Sequence, residues 1–476
     1  MDAIRQSAKL HLLTLAAFTT AVFLPMIGKG FIHDDFVHLF SASHDSIARG
    51  LTSAVDGPFY APVTWLTFWF DWHTWGVNPF PMAVENLLLH ILNMFLIYAF
   101  TERLWGSRVG AFWAAFGFGL LLPANTWAVM WISTRAHLLT TTFYVGALCV
   151  MHRFLRTGKF ATAAAVLVLG FAAIFSKESG VTLPAALALL AVYVKRSGQE
   201  TIPVVKATVL IGVLLGVVTL YLALRGRSEA VPFSIHVVGT YSYSLSVRNL
   251  WSNFLEYFWR TYGMLIILGG AVAFSRYLNG ARIRFNLVTR HDVAFSILLY
   301  AIMMAPFMPL AFRSGIYTYM AAVASAILLG AVVRSFYQPA EGELTRPRAI
   351  SMLPILLVIA TFTAFIVGQS QKWIVTAKTT IEVLKQISAQ VASPEPKTYF
   401  VLRYASPDRE HRFPGGFESW AFPSAVRLYY DDPSLDGAIV LNDASHTTPE
   451  GSPEVNLLYT TELGKIKIIQ ASGSVP

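Results

Sequence analysis

The sequence is poor in charged residues and contains almost no cysteine. Only 13% of its 476 residues are charged, whereas 55% are hydrophobic, and the mean hydropathy is +0.53. An average soluble domain is about 25% charged, so the composition argues against a soluble enzyme and against a disordered chain. The single cysteine, Cys149, excludes an intramolecular disulfide and a cysteine-based metal site. The sequence also lacks a P-loop, a dinucleotide fingerprint, a nucleophile elbow and a zinc-protease motif.

Long apolar runs recur over the first 370 residues, and they are too poor in charge for the cores of soluble domains. We therefore predict an α-helical polytopic membrane protein with about eleven transmembrane helices. The fifth and sixth runs are short for a hydrocarbon core of about 30 Å and could form a shallow hairpin. The runs lie at 10–27, 83–101, 109–127, 136–154, 160–175, 181–194, 207–224, 254–274, 293–309, 316–333 and 350–367.

The net charge of +9 fits basic loops on one side of a membrane better than nucleic-acid binding. With the N-terminus inside, the inner loops carry more Lys and Arg than the outer loops, as the positive-inside rule requires. The first run follows Arg5 and Lys9 and precedes a poor cleavage site, so we interpret it as an uncleaved helix. We predict an integral protein of the bacterial inner (plasma) membrane, with a cytoplasmic N-terminus and an extracytoplasmic C-terminus.

The pattern divides the chain into two domains. Residues 1–370 form the predicted transmembrane catalytic domain, whose outer loops include 28–82 and 225–253. Residues 371–476 form a predicted small extracytoplasmic α/β domain. Short apolar-rich runs predict its strands at 398–403, 438–442 and 466–470. No internal repeat is visible, which weakens the case for a transporter built from inverted repeats.

An aromatic stripe follows one helical face of the first outer loop, at Trp65, Phe68, Trp69 and Trp72. The stripe fits either a helix lying in the membrane interface or the ordinary aromatic belt before the second span. Both interpretations place this loop at the lipid surface.

Two adjacent carboxylates, Asp34 and Asp35, lie just beyond the first span on the outer side. Burial of charge beside a bilayer is costly, so the pair suggests a functional site. Alternatively, Asp34 caps a short helix and Asp35 occupies its first turn, with both facing water. Together with nearby acids and histidines the pair could also bind a divalent metal, although the spacing matches no fixed motif and we assign no ligand. This set is His33, His38, His44, His73, Asp34, Asp35 and Asp45.

Polar and basic residues recur near the ends of later spans. Asn86, His90 and Asn93 give the second span a polar face, which could hydrogen-bond other helices or face a substrate. Near outer helix ends, Arg135, Arg313 and Lys177 could bind phosphate or simply reach the lipid headgroups. The neighbouring Glu178 could also neutralise Lys177.

Six motifs follow one another along about the first 330 residues. They are His33-Asp34-Asp35, Tyr60-Ala61-Pro62, Asn86 to Asn93, Arg135, Ser176-Lys177-Glu178 with Pro184, and Arg313 with Tyr317 and Tyr319. In this order, the motifs resemble those of the GT-C superfamily of membrane glycosyltransferases, above all protein O-mannosyltransferases and aminoarabinose transferases. Two features depart from the family pattern, since Ala61 stands where the family often has Arg and tetratricopeptide repeats are absent.

The resemblance implies inverting transfer of a hexosyl or pentosyl group from a polyprenyl-phosphate donor to an acceptor hydroxyl on the outer face. It makes Asp34 the general base with Asp35 beside it, and Arg135, Arg313 and Lys177 the ligands of the donor phosphate. The implied partners are the lipid-linked donor, membrane lipids and a glycan, lipid or protein acceptor, without nucleic acid. The implied substrate-binding residues are His33, Tyr60, Asn86, His90, Tyr317 and Tyr319.

Three other functions fit parts of the sequence. A transporter or flippase for a lipid-linked or amphipathic substrate would place ionisable residues in mid-membrane, whereas these spans keep their charges mainly at the ends. An oligosaccharide polymerase or ligase would have a large outer loop late in the chain. In a non-catalytic assembly factor, Asp34 would be dispensable.

Overall fold

The computed structural model describes residues 7–54, 59–120, 122–198, 204–228, 230, 242–279, 288–337, 352–404, 421–441, 448–449, 451–460 and 465–472. The helices before the first strand are α1 (Ala8–Phe23), α2 (Asp35–His44), α3 (Ile47–Thr52), α4 (Pro62–Trp75), α5 (Pro79–Trp105), α6 (Arg108–Leu120), α7 (Pro123–Met130), α8 (Arg135–Thr157), α9 (Phe160–Ser176), α10 (Leu183–Arg196), α11 (Val204–Arg227), α12 (Val247–Phe258), α13 (Met264–Leu278), α14 (Arg290–Met304), α15 (Thr318–Tyr337) and α16 (Leu353–Gln390).

Each apolar run coincides with a helix or a helix pair, and several of these helices could cross a membrane. By length and composition, seven helical stretches of the described residues qualify as spans. The pair α6 and α7, bent by 67°, would make an eighth, and α1 and α9 are shorter apolar helices. The expected number of about eleven spans therefore stays a prediction, whereas a mostly helical architecture with several apolar helices long enough to span a membrane is confirmed.

Small residues allow the central helices to approach closely. A Cβ atom on Gly110 of α6 would lie 2.6 Å from the carbonyl oxygen of Gly330 on α15. A Cβ atom on Gly330 would in turn lie 2.7 Å from the carbonyl oxygen of Gly110. Helices in lipid associate through such close packing, because the surrounding acyl chains are as apolar as the side chains.

A buried polar network joins α5, α8 and α15. His90 donates from Nε2 to the carbonyl of Gly119 (2.9 Å), so its Nδ1 accepts from the Tyr319 hydroxyl (2.7 Å). Asn93 donates to the Tyr319 oxygen (3.2 Å) and accepts from Thr142 (2.8 Å). The polar face of the second predicted span therefore forms hydrogen bonds to neighbouring helices, and His90 and Tyr319 take part in them.

The aromatic stripe of α4 packs mainly against protein. Trp65 and Phe68 are buried, and the Trp65 indole donates to the Ser41 hydroxyl of α2 (3.0 Å). Leu66 and Phe70, on the opposite side of α4, are exposed, as is Trp75 at its end. Trp69 and Trp72 of the stripe are half-buried, so the more exposed residues of α4 lie mainly outside the stripe.

The C-terminal segment forms a four-stranded sheet on which one helix packs. The strands run in the order β2-β1-β3-β4, where β1 is parallel to β2 and β3, and β4 is antiparallel to β3. The sequence analysis missed β3, because Glu454 and Asn456 interrupt its apolar pattern. Residue 442, the predicted end of one strand, lies outside the described residues. The elements are β1 (Tyr399–Tyr404), α17 (Ala421–Tyr430), β2 (Asp436–Leu441), β3 (Glu454–Thr460) and β4 (Lys465–Ser472).

This segment supports the acidic loop. Phe422 and Val426 of α17 share a buried apolar cluster with Phe36 and Leu39 of α2. The guanidinium of Arg427 lies over the Phe40 ring, 5.5 Å from its centroid. Helix α2, which begins at the acid pair, is thus held between the transmembrane bundle and the C-terminal sheet.

We expect Tyr319→Phe to lower the free energy of unfolding by about 1 kcal/mol, since it removes the donor to His90 and the acceptor for Asn93. Thermal unfolding of the purified protein in detergent measures the change. Tyr277→Phe removes the same atom from an exposed side chain and should leave the transition unchanged. Equal transitions for Tyr319→Phe and the wild type would show that the network adds no stability.

Candidate functional site

The two adjacent aspartates have different surroundings because Asp35 opens a helix while Asp34 precedes it. Asp35 is fully buried, and its Oδ1 accepts from the backbone N–H (2.7 Å) and the hydroxyl (2.6 Å) of Ser133. Its Oδ2 accepts from the backbone N–H of Ile32 (3.0 Å). Asp34, by contrast, lines a cavity. Asp35 therefore ties the acidic loop to the turn before α8, and Asp34 contributes to the cavity lining.

Burial shifts the pKa values of two groups in this loop, Asp35 and His38. Removal from water raises the pKa of Asp35 to about 7, although the hydrogen bonds from Ser133 and Ile32 favour its charged form. Burial also lowers the pKa of His38 to about 4, with help from the charges of Lys177 and Arg135. The His38 ring stacks on Phe68 and is neutral at physiological pH.

The cavity lies where three bundle helices begin. Short 3-10 turns at Ile132–Thr134, Glu178–Thr182 and Gly315–Tyr317 precede α8, α10 and α15, and each contributes to its lining. Helix N-termini carry partial positive charge and exposed N–H groups, so their convergence favours an anion. The volume is about 150 Å³. Ionisable and aromatic lining residues include Asp34, His38, Phe59, Trp131, His137, Lys177, Glu178, Arg225, Tyr243, Phe307, Phe312 and Tyr317.

Among the described residues, two with cationic side chains line the cavity. Lys177 is buried, pairs with Glu178 (3.0 Å), and lies over the Phe59 ring at 4.8 Å from its centroid. Arg225, at the end of α11, is also buried and lines the same cavity. Sequence analysis did not select Arg225. Its position at the outer end of a predicted span was the available signal, as it was for the arginines that were selected.

Arg135 is fully engaged elsewhere and is not among the residues that line the cavity. Its Nη1 contacts Asp71 Oδ2 (2.5 Å) and Glu85 Oε2 (3.1 Å). Its Nε donates to Asn86 Oδ1 (3.0 Å), and its Nη2 donates to the Met82 carbonyl (3.0 Å). Arg135 and Asn86 therefore join α4, α5 and α8, although the sequence suggested that they contact the substrate.

Arg313 lies at the rim of the cavity. Its neighbours Phe312 and Ser314 line the cavity, whereas its guanidinium pairs with Glu256 (3.1 Å) and donates to Asn253 Oδ1 (2.5 Å). A third hydrogen bond goes to the Ser252 hydroxyl. These contacts tie the rim to α12.

The other candidate substrate residues divide between the cavity and its supports. Tyr317 lines the cavity and stacks on Phe307 with ring centroids 4.6 Å apart. His33 packs edge-on against Trp131, which lines the cavity. The Tyr60 hydroxyl donates to the Leu51 carbonyl (3.0 Å), beside the lining residues 59 and 61. Residues 229 and 231–241 of the second outer loop lie outside the described residues.

Within the described part of the chain, no three His, Cys, Asp or Glu side chains are grouped so as to hold a metal ion. The acids of the first loop are drawn into separate contacts instead. Asp35 binds Ser133, and Asp45 accepts from Ser41 (2.5 Å). His44 contacts the Ser43 hydroxyl (2.6 Å), and His73 the Trp69 carbonyl (2.7 Å).

Comparison with known sequences gives limited similarity. No family model matches the chain. Protein O-mannosyl-transferase Tmtc1 of Drosophila melanogaster is 23% identical over 180 residues, which cover 35% of this chain and 21% of that protein. The match therefore spans about a fifth of the length of this curated relative.

Comparison with solved structures covers nearly the whole chain. ArnT from Cupriavidus metallidurans in the apo state has a TM-score of 0.54 at 13% identity, covering 94% of this chain and 92% of that one. The Archaeoglobus fulgidus oligosaccharyltransferase has a TM-score of 0.53 at 11% identity, covering 91% of this chain and 64% of that one. Since both are GT-C glycosyltransferases, the resemblance predicted from the motif order is confirmed, and the chain has the GT-C fold.

Proposed function

We propose that the protein is an inverting glycosyltransferase that moves a hexosyl or pentosyl group from a polyprenyl-phosphate donor to an acceptor hydroxyl. The observation that carries this proposal is the lining of a single cavity by Asp34, Lys177 and Arg225. These residues supply a carboxylate and two cations at one bundle end, where three helices begin. Such a site can accept a proton on one side and hold a phosphate on the other.

Asp34 acts as the general base. The acceptor oxygen attacks the anomeric carbon while its proton passes to the Asp34 carboxylate, and the bond between the sugar and the phosphate oxygen breaks. This single displacement inverts the configuration at the anomeric carbon. Asp35 acts as a positioning residue, since its three hydrogen bonds to Ser133 and Ile32 hold the loop that carries Asp34.

Lys177 and Arg225 bind the donor phosphate. The phosphate gains negative charge as it leaves, so fixed cations stabilise the transition state more than the ground state. The N-termini of α8, α10 and α15 add partial positive charge at the same place. Glu178 beside Lys177 moderates the charge before the donor binds. Arg313 contributes from the rim, and Arg135 positions α4 and α5 rather than contacting the donor.

The aromatic lining residues provide the sugar and lipid contacts. Tyr317 on Phe307 forms one wall, and Trp131, against which His33 packs, forms another. Flat aromatic faces suit the apolar faces of a sugar ring and the first isoprene units of the donor. The acceptor could be a glycan, a lipid or a protein. A divalent metal stays an unassigned cofactor in this proposal.

The printed descriptions of similar proteins agree with a lipid-linked donor. One structure of ArnT, with a TM-score of 0.50, is described as bound to undecaprenyl phosphate. The Drosophila relative is described as a protein O-mannosyl-transferase. A structure of the archaeal oligosaccharyltransferase, with a TM-score of 0.51, carries a tethered acceptor peptide. These descriptions support a glycosyltransferase and leave the sugar and the acceptor of this chain as proposals.

We further propose about eleven spans, an extracytoplasmic cavity and location in a bacterial inner membrane. The N-terminus lies in the cytoplasm, and the sheet of residues 371–476 lies outside. The charge pattern of the loops supports this orientation.

Asp34→Asn should lower donor turnover by about 10²–10⁴-fold, because the amide cannot accept the acceptor proton. The assay supplies the purified protein with labelled undecaprenyl-phosphate hexoses and pentoses, uses solubilised membranes as the acceptor source, and measures sugar transfer. Asp45→Asn removes a carboxylate from the end of the same helix and should retain activity. If Asp34→Asn and the wild type turn over the donor equally, Asp34 is not the base.

Arg225→Gln should reduce kcat/KM for the donor by about 10²-fold, because the leaving phosphate loses a fixed charge. Arg248→Gln, which removes an exposed arginine from the same outer segment, should leave kcat/KM unchanged.

Arg135→Gln should instead lower the free energy of unfolding by about 3–5 kcal/mol, since it leaves Asp71 buried without its partner. Normal stability of Arg135→Gln with lost turnover would return Arg135 to the substrate site.

Asp35→Asn should change the pH dependence of stability. Between the ordinary carboxyl pKa of 3.8 and the folded value of about 7, the folded protein holds the extra proton. The Asp35 contribution to stability is therefore largest near pH 4 and declines as the pH rises to about 7. His38 acts in the opposite direction over a similar range, but it is common to both proteins and cancels from their difference.

The measurement is thermal unfolding of the wild type and Asp35→Asn at several pH values between 4 and 7. The wild type should lose stability relative to the variant as the pH rises. A constant difference across this range would show that Asp35 is ionised in the folded protein throughout.

A further inference from the structure

A second cavity lies at the opposite ends of the same helices. Arginines from the last turns of four helices line it, namely Arg103 of α5, Arg156 of α8, Arg196 of α10 and Arg334 of α15. The start of α14, with His291 and Asp292, closes one side. Its volume of about 600 Å³ falls in the range of small-molecule sites.

The lengths of these helices indicate where the basic cavity lies relative to the bilayer. Helices α8, α10 and α15 begin at the cavity of Asp34 and end at the basic cavity. Helix α8 has 23 residues, so its two ends are about 34 Å apart. A bilayer hydrocarbon core is about 30 Å thick. If α8 spans the bilayer as proposed, the two cavities lie near the two opposite membrane surfaces.

The charge of the basic cavity favours an anion. Four arginines face one carboxylate, Asp292, among the described residues that line it. That carboxylate is already engaged, since it accepts from the Tyr193 hydroxyl (2.5 Å) and the Thr289 N–H (2.9 Å) and lies 3.9 Å from Arg334. The four helix C-termini oppose the arginines with about half a negative charge each, which leaves a net positive site.

Basic residues at cytoplasmic helix ends have an ordinary explanation, because they complement helix dipoles and set the membrane orientation. That explanation requires neither a common cavity nor a fixed geometry. Here the Arg334 guanidinium lies over the Trp105 ring at 5.5 Å, and the Trp105 indole donates to the Tyr193 hydroxyl (2.9 Å). The Arg334 guanidinium is therefore held against an ordered aromatic side chain, and the three exposed arginines surround it.

We propose that the basic cavity binds a phosphate group, and that its position at the membrane surface favours the headgroup of an anionic phospholipid. Arginine suits this chemistry, because its planar guanidinium donates two parallel hydrogen bonds to phosphate oxygens. Basic pockets between transmembrane helices on the cytoplasmic side are suited to such headgroups. This proposal concerns binding alone and does not depend on the proposed glycosyl transfer.

The test uses the full-length protein in nanodiscs of phosphatidylcholine, with or without phosphatidylglycerol. Native mass spectrometry counts retained phosphatidylglycerol, and the thermal transition reports stabilisation. The Arg103→Gln/Arg156→Gln variant should weaken phosphatidylglycerol binding by about tenfold or more, since two charged hydrogen-bond donors are lost. Lys159→Gln removes one exposed charge near the same membrane surface without touching the cavity, and it should bind as the wild type does.

A separate arm titrates inorganic phosphate in phosphatidylcholine nanodiscs. Stabilisation by phosphatidylglycerol alone supports a lipid site, whereas stabilisation by inorganic phosphate as well supports a phosphate site open to soluble ligands. Equal retention of phosphatidylglycerol by the wild type and the double variant overturns the proposal, as does an equal loss in Lys159→Gln. Should the double variant fail to fold, the single change Arg196→Gln replaces it with the same expected direction.

Discussion

The hydrogen bonds between Asp35 and Ser133 fix the relation between the acidic loop and the transmembrane bundle. They join the residue that opens α2 to the turn that opens α8, across 98 positions of sequence. Because Asp35 is taken up in this contact, its neighbour Asp34 is left to line the cavity. The C-terminal helix α17 packs on α2 from the other side and restricts the same loop further. The position of the proposed base thus depends on three separate parts of the chain.

Buried charged residues in this protein have two different roles, and the residues around each one determine its role. Arg135 is surrounded by Asp71, Glu85 and Asn86, so its charge is consumed in joining helices. Lys177 has one carboxylate partner and lines the cavity. A buried cation that is balanced by several acceptors gains little from a phosphate ligand, whereas one in a cavity can exchange its contacts as a ligand arrives.

The bundle is polarised along its axis. Three helices present their N-termini to the cavity of Asp34 and their arginine-bearing C-termini to the basic cavity. One end thus uses helix dipoles together with cations, and the other uses arginines against the dipoles. With this arrangement, the same set of helices can bind phosphate groups at both of its ends.

By itself, the sequence determined the class of protein, the positions of its apolar helices and the GT-C resemblance. These features follow from local composition, span length and motif order, which do not require knowledge of contacts. The structure confirmed the helical fold class. Apolar runs of this length form helices whatever their neighbours, because a helix satisfies its own backbone hydrogen bonds. One strand, β3, was missed because Glu454 and Asn456 interrupt its apolar pattern.

Only the tertiary structure decided which polar residues meet. Asn86, His90 and Tyr319 share the pattern expected of a substrate face, yet they hydrogen-bond helix backbones and one another. Arg135 and Arg225 both lie at predicted outer helix ends, yet Arg135 is paired with two carboxylates outside the cavity, whereas Arg225 lines the cavity. Such differences depend on helix rotation and on contacts between residues distant in sequence, and neither can be read from spacing along one chain.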